Sequence, residues 1–421
     1  MNVWIVNHYA IPPSLGGLVR HYYFSKYLQQ KGHQVRIFTS SKIHNMNKNM
    51  IDDGALYKEQ VIDDIEYTFV RSRDYSGNGL DRITNLINFP FEVQKTMSYF
   101  YKMEKPDVIY ASSPDLFVVY FALRFGKRHG IPVVVEIRDL WPKSIVEYNN
   151  FSEYNPIIQV MYQLEKYIYR KTDKLIFTFA GGKTYIEDRG WQNVIDLQKV
   201  HHVNNGVDLE EFEYNKTNYV LNDTDLVNPV NFKVIYVGSI RLVNHLRELV
   251  DAAEILKNRG KNNIQILIYG DGTEKEELEA YCISHQLNVK FKGRVEKKYI
   301  PYILSKSDLN IVNVKKSNLV RYGVSWNKLF EYMASEKPIL CNLPTNFDLI
   351  EEYHLGVSHY FTAEDYAAEI QRFAELPHKE YQQYCNNAVS LKLRYDYKNL
   401  TDQILEVLES CVNNDNKEEK L

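Results

Sequence analysis

The chain has 421 residues, 44% of them hydrophobic and 25% charged, with a formal net charge of -3. That composition fits a soluble chain of two or three ordinary domains, and its slight acidity excludes broad nucleic-acid binding, which needs a basic footprint. The four cysteines, Cys282, Cys341, Cys385 and Cys411, share no CxxC spacing, so neither a zinc cage nor a redox pair is indicated and a reducing compartment is favoured.

The opening MNVWIVNHY has no basic stretch and no long apolar run, so no signal peptide is expected. No segment reaches the ~20 apolar residues of a membrane helix. Val3-Trp4-Ile5-Val6 reads as a buried strand, followed by a loop from His8 to Gly17 and a helix that stops at Gly32. Within that loop, Gly16-Gly17 would let a backbone approach a phosphate, or form an ordinary permissive turn. Further apolar strands follow at 35–39, 107–110, 132–137 and 175–178, with helical patterns between them. Short apolar strands alternating with helices mean a parallel sheet covered on both faces.

Between Val207 and Val230, Asn, Asp, Thr and Pro dominate, as in a linker. The rhythm then restarts with strands at 233–238, 264–269, 289–291, 309–312 and 339–340. The expected organisation is a first doubly wound domain over 1–215, a second over 216–395, a helix at about 396–412 returning to the first, and a charged disordered tail at 413–421. Sheets of this kind hold ligands at the carboxyl ends of their strands.

Three places there carry candidate chemistry. Ser325 reads as the N-cap of a helix whose free amides fall near Asn327 and Lys328. No acid follows three residues later to close a capping box, so an anion is a natural partner for those amides. Glu331 lies ~9 Å further along the axis, within reach of sugar hydroxyls beyond a diphosphate. The strand end Val237-Gly238 is followed by Arg241 and Arg247, whose forked guanidinium groups suit phosphate, or which are simply solvated. The polypeptide Glu136-Ile137-Arg138-Asp139-Leu140-Trp141-Pro142 puts Asp139 just past a strand end, as an acceptor contact or as a helix cap. His8 is a second polar group near a strand end.

In order, the Gly16-Gly17 loop, Asn205-Gly206-Val207-Asp208, Tyr236-Val237-Gly238, Tyr269-Gly270-Asp271-Gly272, Phe291-Lys292-Gly293-Arg294-Val295 and Asn327-Lys328-Leu329-Phe330-Glu331-Tyr332-Met333-Ala334 resemble the retaining glycosyltransferases of family four. The Glu136 to Pro142 stretch is similar to the branch that builds bacterial surface polysaccharides, capsule and O-antigen. The resemblance implies a GT-B fold: α/β, with two Rossmann-like doubly wound domains facing across a cleft. It implies a nucleotide-sugar donor, UDP-linked by the family's habit, a glycan or lipid-linked acceptor, no cofactor, and a cytoplasmic protein, which a lipid-linked acceptor would require to dock on the inner membrane leaflet. Arg241 matches the family's diphosphate arginine, with Arg247 near the place of its second cation. Asn327 and Lys328 fall on the diphosphate, Glu331 on the ribose, Arg294 and Val295 by the base, and Gly16 and Gly17 would close over the donor. The first glutamate of the family's Glu-x7-Glu pattern is Gly323 here, and Ser112 stands where a family histidine often does. Asp139 and His8 are therefore the catalytic candidates.

Rival readings differ in class. Asp223-Thr224-Asp225 is an Asp-x-Asp, the metal signature of another glycosyltransferase fold, but it lies in the polar linker. A nicotinamide dehydrogenase would need a glycine fingerprint that neither domain shows. A UDP-sugar epimerase of the same fold would need no acceptor, and a non-catalytic nucleotide-sugar-binding protein would turn nothing over. The segments 80–91, 97–105 and 162–174 mix aromatic, aliphatic and basic residues, as a membrane-docking surface or as core-facing helices with solvated lysines.

Overall fold

The computed structural model describes residues 1–44, 46, 48–75, 77, 79–149 and 151–418. They form two compact units, Met1–Asn204 with the segment from Tyr397 onward, and Asn205–Asp396.

Among the described residues of the first unit, eight strands make one sheet: β1 (Asn2–Asn7), β2 (Gln34–Ser40), β3 (Tyr57–Ile62), β4 (Ile65–Val70), β5 (Val108–Ser112), β6 (Val133–Ile137), β7 (Lys174–Phe177) and β8 (Val200–His202). Their order is β3-β4-β2-β1-β5-β6-β7-β8. Every pairing is parallel except the β3–β4 hairpin. β1, β5 and β6 are buried along their whole length, which is why they read as mostly apolar runs rather than alternating ones. Helix Leu116–His129 behind β5 is capped by Asp115, which accepts from the amides of Phe117 and Val118, and ends at Gly130 in the left-handed region (φ 66°). The last helix, Tyr397–Glu418, lays Leu400, Ile404 and Leu408 into the core formed with helix Arg20–Gln30, and Tyr397 stacks on Tyr23 with ring centroids 4.7 Å apart. This helix occupies part of the stretch where the sequence predicts a tail from 413, and carries on to Glu418. Residues 419–421 of that stretch lie outside the described residues.

The second unit has six parallel strands among its described residues: β9 (Phe232–Val237), β10 (Ile264–Tyr269), β11 (Val289–Gly293), β12 (Leu309–Val312), β13 (Ile339–Cys341) and β14 (Gly356–Ser358), in the order β11-β10-β9-β12-β13-β14. It begins at Asn205, not after 215. The linker reading fails because the polar residues are structural: Val207 bridges to Asp396, Asp208 caps helix Leu209–Asn218, and Asp223 caps the turn Thr224–Val227. Phe212 and Leu226 are buried in the second unit's core.

Candidate functional site

In the second unit, the carboxyl ends of β9, β10 and β11 are laced together. Gly238 N–H donates to the Tyr269 carbonyl (3.0 Å), Ile240 N–H to that of Asp271 (2.9 Å), and Gly270 N–H to that of Gly293 (2.8 Å). A Cβ at Gly270 would lie 1.8 Å from the Gly238 carbonyl oxygen. Gly270 is therefore required by backbone contact, whatever else it does.

Helix Asn327–Ala334 starts against this edge. Its apolar face, Leu329, Phe330, Met333 and Ala334, is buried. Tyr332, also buried, accepts from the Val237 amide at 2.9 Å and so pins the helix to the end of β9. The expected Ser325 cap is corrected: the N-cap position is Trp326, and no side chain caps the helix. Ser325 serves another bond instead. Its hydroxyl oxygen accepts from the Asn205 amide (2.9 Å), and its carbonyl accepts from the Asn205 side chain (2.6 Å).

One turn of that helix carries two ionisable groups on one face. The Lys328 ammonium lies 3.3 Å from the Tyr236 hydroxyl and 4.6 Å above its ring. A side chain at Gly238 would meet that nitrogen at 3.0 Å, so the glycine leaves it room at the strand end. Burial pushes the Lys328 ammonium down to about 8. Three residues on, Glu331 has its carboxyl pushed up by burial, against the pull of Lys297 and Lys328. Lys297 Nζ stands 3.9 Å away.

Arg241 is exposed at the turn after β9; its carbonyl accepts from the Asn244 amide at 2.7 Å, while its guanidinium makes no hydrogen bond or ion pair with any described residue. Arg247, the candidate second diphosphate cation, opens helix Arg247–Asn258, bonds Asp251 at 2.8 Å and covers the Tyr281 ring at 4.0 Å. Arg294 is exposed after β11, while Val295 packs on the unit's core. Asn327 is exposed in the helix's first turn. The Asp-x-Asp is also engaged: Lys292 Nζ reaches Asp223 at 2.7 Å and Asp225 at 2.5 Å, and the Tyr269 hydroxyl donates to Asp223 at 2.7 Å. No group of acidic, His or Cys residues among the described residues is arranged to hold a metal ion.

In the first unit, Gly16 and Gly17 lie exposed between the turn Pro13–Leu15 and helix Arg20–Gln30. His8 is buried just past β1. Its Nδ1 faces Asp115 at 2.7 Å and its Nε2 faces the Asn85 side-chain oxygen at 2.8 Å. Both ring nitrogens are thus committed to protein groups, which leaves neither for a substrate. Asp139 is half-buried beyond β6. Burial pushes its carboxyl up, opposed by the Ser144 hydroxyl, the Leu140 amide and Arg138.

The sequence reading missed the polar hub next to Asp139. Glu136, fully buried in β6, accepts from Arg20 Nε (2.7 Å), Ser112 Oγ (2.8 Å) and the Tyr110 hydroxyl, with His21 Nε2 at 3.2 Å. Arg20 holds its carboxyl well below the usual range despite burial, and burial keeps His21 neutral. The signal was present in Val133-Val134-Val135-Glu136-Ile137: an acid inside an apolar strand must be paired. Ser112, at the family histidine's place, is one of its donors.

The surface segments resolve unevenly. Along helix Leu80–Phe100, Ile83, Ile87 and Phe91 recur every four residues and are 52%, 48% and 50% exposed. Tyr154, Ile157 and Val160 are exposed at the start of helix Pro156–Lys171, whereas Tyr162, Ile168 and Tyr169 are buried. No helix among the described residues is long and apolar enough to cross a membrane.

Two family models match the chain: Glycosyltransferase Family 4 over residues 15–211 and Glycosyl transferases group 1 over residues 225–390. No curated protein matches the sequence. Solved structures share the fold. HepE of Anabaena, crystallised with UDP and glucose, is 15% identical with TM-score 0.67, over 97% of this chain and 100% of that one. The UDP-forming alpha,alpha-trehalose-phosphate synthase of Burkholderia vietnamiensis is 14% identical with TM-score 0.73, over 98% and 97%. A glycosyltransferase of Rickettsia africae is 16% identical with TM-score 0.66, over 98% and 99%.

Proposed function

Matched one after the other along the sequence, the two glycosyltransferase models make this chain a glycosyltransferase of the GT-B type, and from that premise we propose a retaining, metal-independent enzyme that moves a sugar from a UDP donor to a hydroxyl of a lipid-linked glycan in the synthesis of a bacterial surface polysaccharide. The observation that carries the donor half is the placement of Lys328 against Gly238, with Glu331 on the same face of the helix. The start of helix Asn327–Ala334, Lys328 and Arg241 then bind the diphosphate, Glu331 the ribose, and Arg294 with Val295 the base. Binding of UDP and UDP-glucose by HepE supports a uridine nucleotide.

The chemistry follows from where charge develops. As the glycosidic bond breaks, UDP gains negative charge, and donors already aimed at it lower the barrier. Each charge-assisted hydrogen bond is worth ~1.5–3 kcal/mol. Side-chain cations suit this role because the carboxylates of the Asp-x-Asp already hold Lys292. In a same-face displacement the leaving phosphate oxygen takes the acceptor proton and no protein nucleophile is needed. Asp139 orients the acceptor hydroxyl.

A lipid-linked acceptor is supported by the exposed Ile83, Ile87, Phe91, Ile157 and Val160. Their helices run into β5 and β7, so both begin at the carboxyl edge of the sheet, the edge where ligands bind. Contact with the cytoplasmic face of the inner membrane fits that arrangement.

A thermal-shift screen of sugar nucleotides without divalent metal tests the reading. Stabilisation by UDP-sugars is expected; a response to NAD(P) alone would overturn it. Product analysis with donor alone separates transfer from epimerisation.

A further inference from the structure

Arg138 is the first residue past β6, at the carboxyl edge of the first sheet. Its amide donates to Ser113 Oγ at 2.9 Å, which fixes the main chain there. Its guanidinium is half-buried and makes no hydrogen bond and no ion pair with any described residue. That is an unusual state for a charge withdrawn from water.

The carboxylate of Glu136 is already occupied by other donors. Glu136 Oε2 is taken by Arg20 and Tyr110, and Oε1 by Ser112 and His21. Arg20 is itself engaged on all three nitrogens, since besides Nε on Glu136 its two terminal nitrogens donate to the carbonyls of Val203 and Asn204. The hub therefore holds two guanidinium groups and a neutral imidazole around one carboxylate. Asp139, the other acid at this edge, makes no ion pair with Arg138. Burial and the neighbouring Arg20 push the Arg138 guanidinium below its ordinary range, against the attraction of Glu136. The Arg138 guanidinium is thus left without a hydrogen-bonded partner among the described residues, at the carboxyl edge where a doubly wound sheet receives its ligand.

We propose that Arg138 is a phosphate-binding residue, its forked guanidinium taking two oxygens of a phosphoryl group. The inference rests on the glycosyl-transfer reading, which supplies two sources of that chemistry: the diphosphate of the nucleotide donor, or a phosphate carried by the acceptor. Glu136, through Arg20, Ser112 and Tyr110, holds the surrounding frame and is a positioning residue.

Calorimetric titration of the full chain with UDP, uridine and inorganic phosphate tests it. If the donor is the source, Arg138→Gln weakens UDP about 10-fold or more and leaves uridine unchanged. If the acceptor is the source, UDP affinity is unchanged and inorganic phosphate, titrated with UDP saturating, loses its binding in the variant. A folded Arg138→Gln that keeps wild-type affinity for both UDP and phosphate overturns the proposal. Arg138→Met, whose stem fills similar space, carries the same measurements should the glutamine variant fail to fold. A wild-type chain that binds no UDP would sink the glycosyl-transfer reading, while the phosphate titration would still decide the role of Arg138.

Discussion

The Lys328 ammonium sits 3.3 Å from the Tyr236 hydroxyl, so a cation on a helix start is delivered to the end of the strand that precedes the Arg241 turn. Burial brings its proton affinity close to neutrality, to about 8. UDP affinity should therefore fall as pH rises above about 8, because the lysine loses its charge, and Lys328→Met should weaken UDP about 10-fold at pH 7 and flatten that dependence. The sign for stability is opposite. The unfolded chain binds the proton more tightly, so without ligand this group makes stability rise with pH between about 8 and 10.5. Calorimetry and thermal melts across pH check both.

Glu331→Ala should leave the fold intact, since the carboxyl is partly exposed and its contact with Lys297 is long at 3.9 Å. UDP binding should weaken by about 10-fold, the worth of a charge-assisted hydrogen bond to the ribose. The variant should also lose any preference for UDP over 2′-deoxy-UDP. Unchanged UDP affinity would remove Glu331 from the site.

Asp139→Asn should lower kcat by about 10²-fold or more while leaving UDP affinity within twofold, if the carboxylate orients the acceptor hydroxyl. A helix-capping role would show instead as a lowered Tm with kcat preserved.

Lys292→Met should cost on the order of 1 kcal/mol, because the pair with Asp223 and Asp225 is only partly buried. Hydrogen bonding to Lys292 is the chief force lowering the Asp225 carboxyl, and it also lowers Asp223 against burial. Their folded range lies below the unfolded value of 3.8, so the stabilisation is present above that pH and is lost as pH falls below it. EDTA should leave wild-type turnover unchanged. Denaturant melts of wild type and variant at pH 7 and pH 3 measure the difference.

Vesicle flotation with anionic lipid at low salt should retain the wild-type chain, and Ile87→Glu combined with Ile157→Glu should release it while UDP affinity is kept. Failure of the wild type to float would end the peripheral-membrane reading.

Much of the fold was readable from periodicity. β1, β5, β6, β9 and β10 are mostly apolar because both faces are covered, and the helices between them keep a clear apolar stripe. What escaped detection was long-range or dual-purpose. Ser325 has the chemistry of a cap, but Asn205, 120 positions away, claims its hydroxyl. The Asn and Asp residues from 207 to 230 look like a linker because the same side chains that favour loops also cap helices. The ion pair of Arg247 with Asp251, four residues on, was legible as helical ion-pair spacing. Arg138 drew no notice beside Asp139, since an unpaired guanidinium is visible only once the partners of Glu136 are known.

The helix from Tyr397 has a consequence for how the protein is made. The first unit is assembled from both ends of the sequence, while the second is continuous and complete at Asp396. During synthesis, the second unit can therefore close while Tyr23, Tyr27 and Leu28 still wait for Tyr397, Leu400 and Ile404 to emerge. The first unit is therefore completed last although most of it is translated first, and the apolar face that Tyr397, Leu400 and Ile404 cover stays open until they emerge.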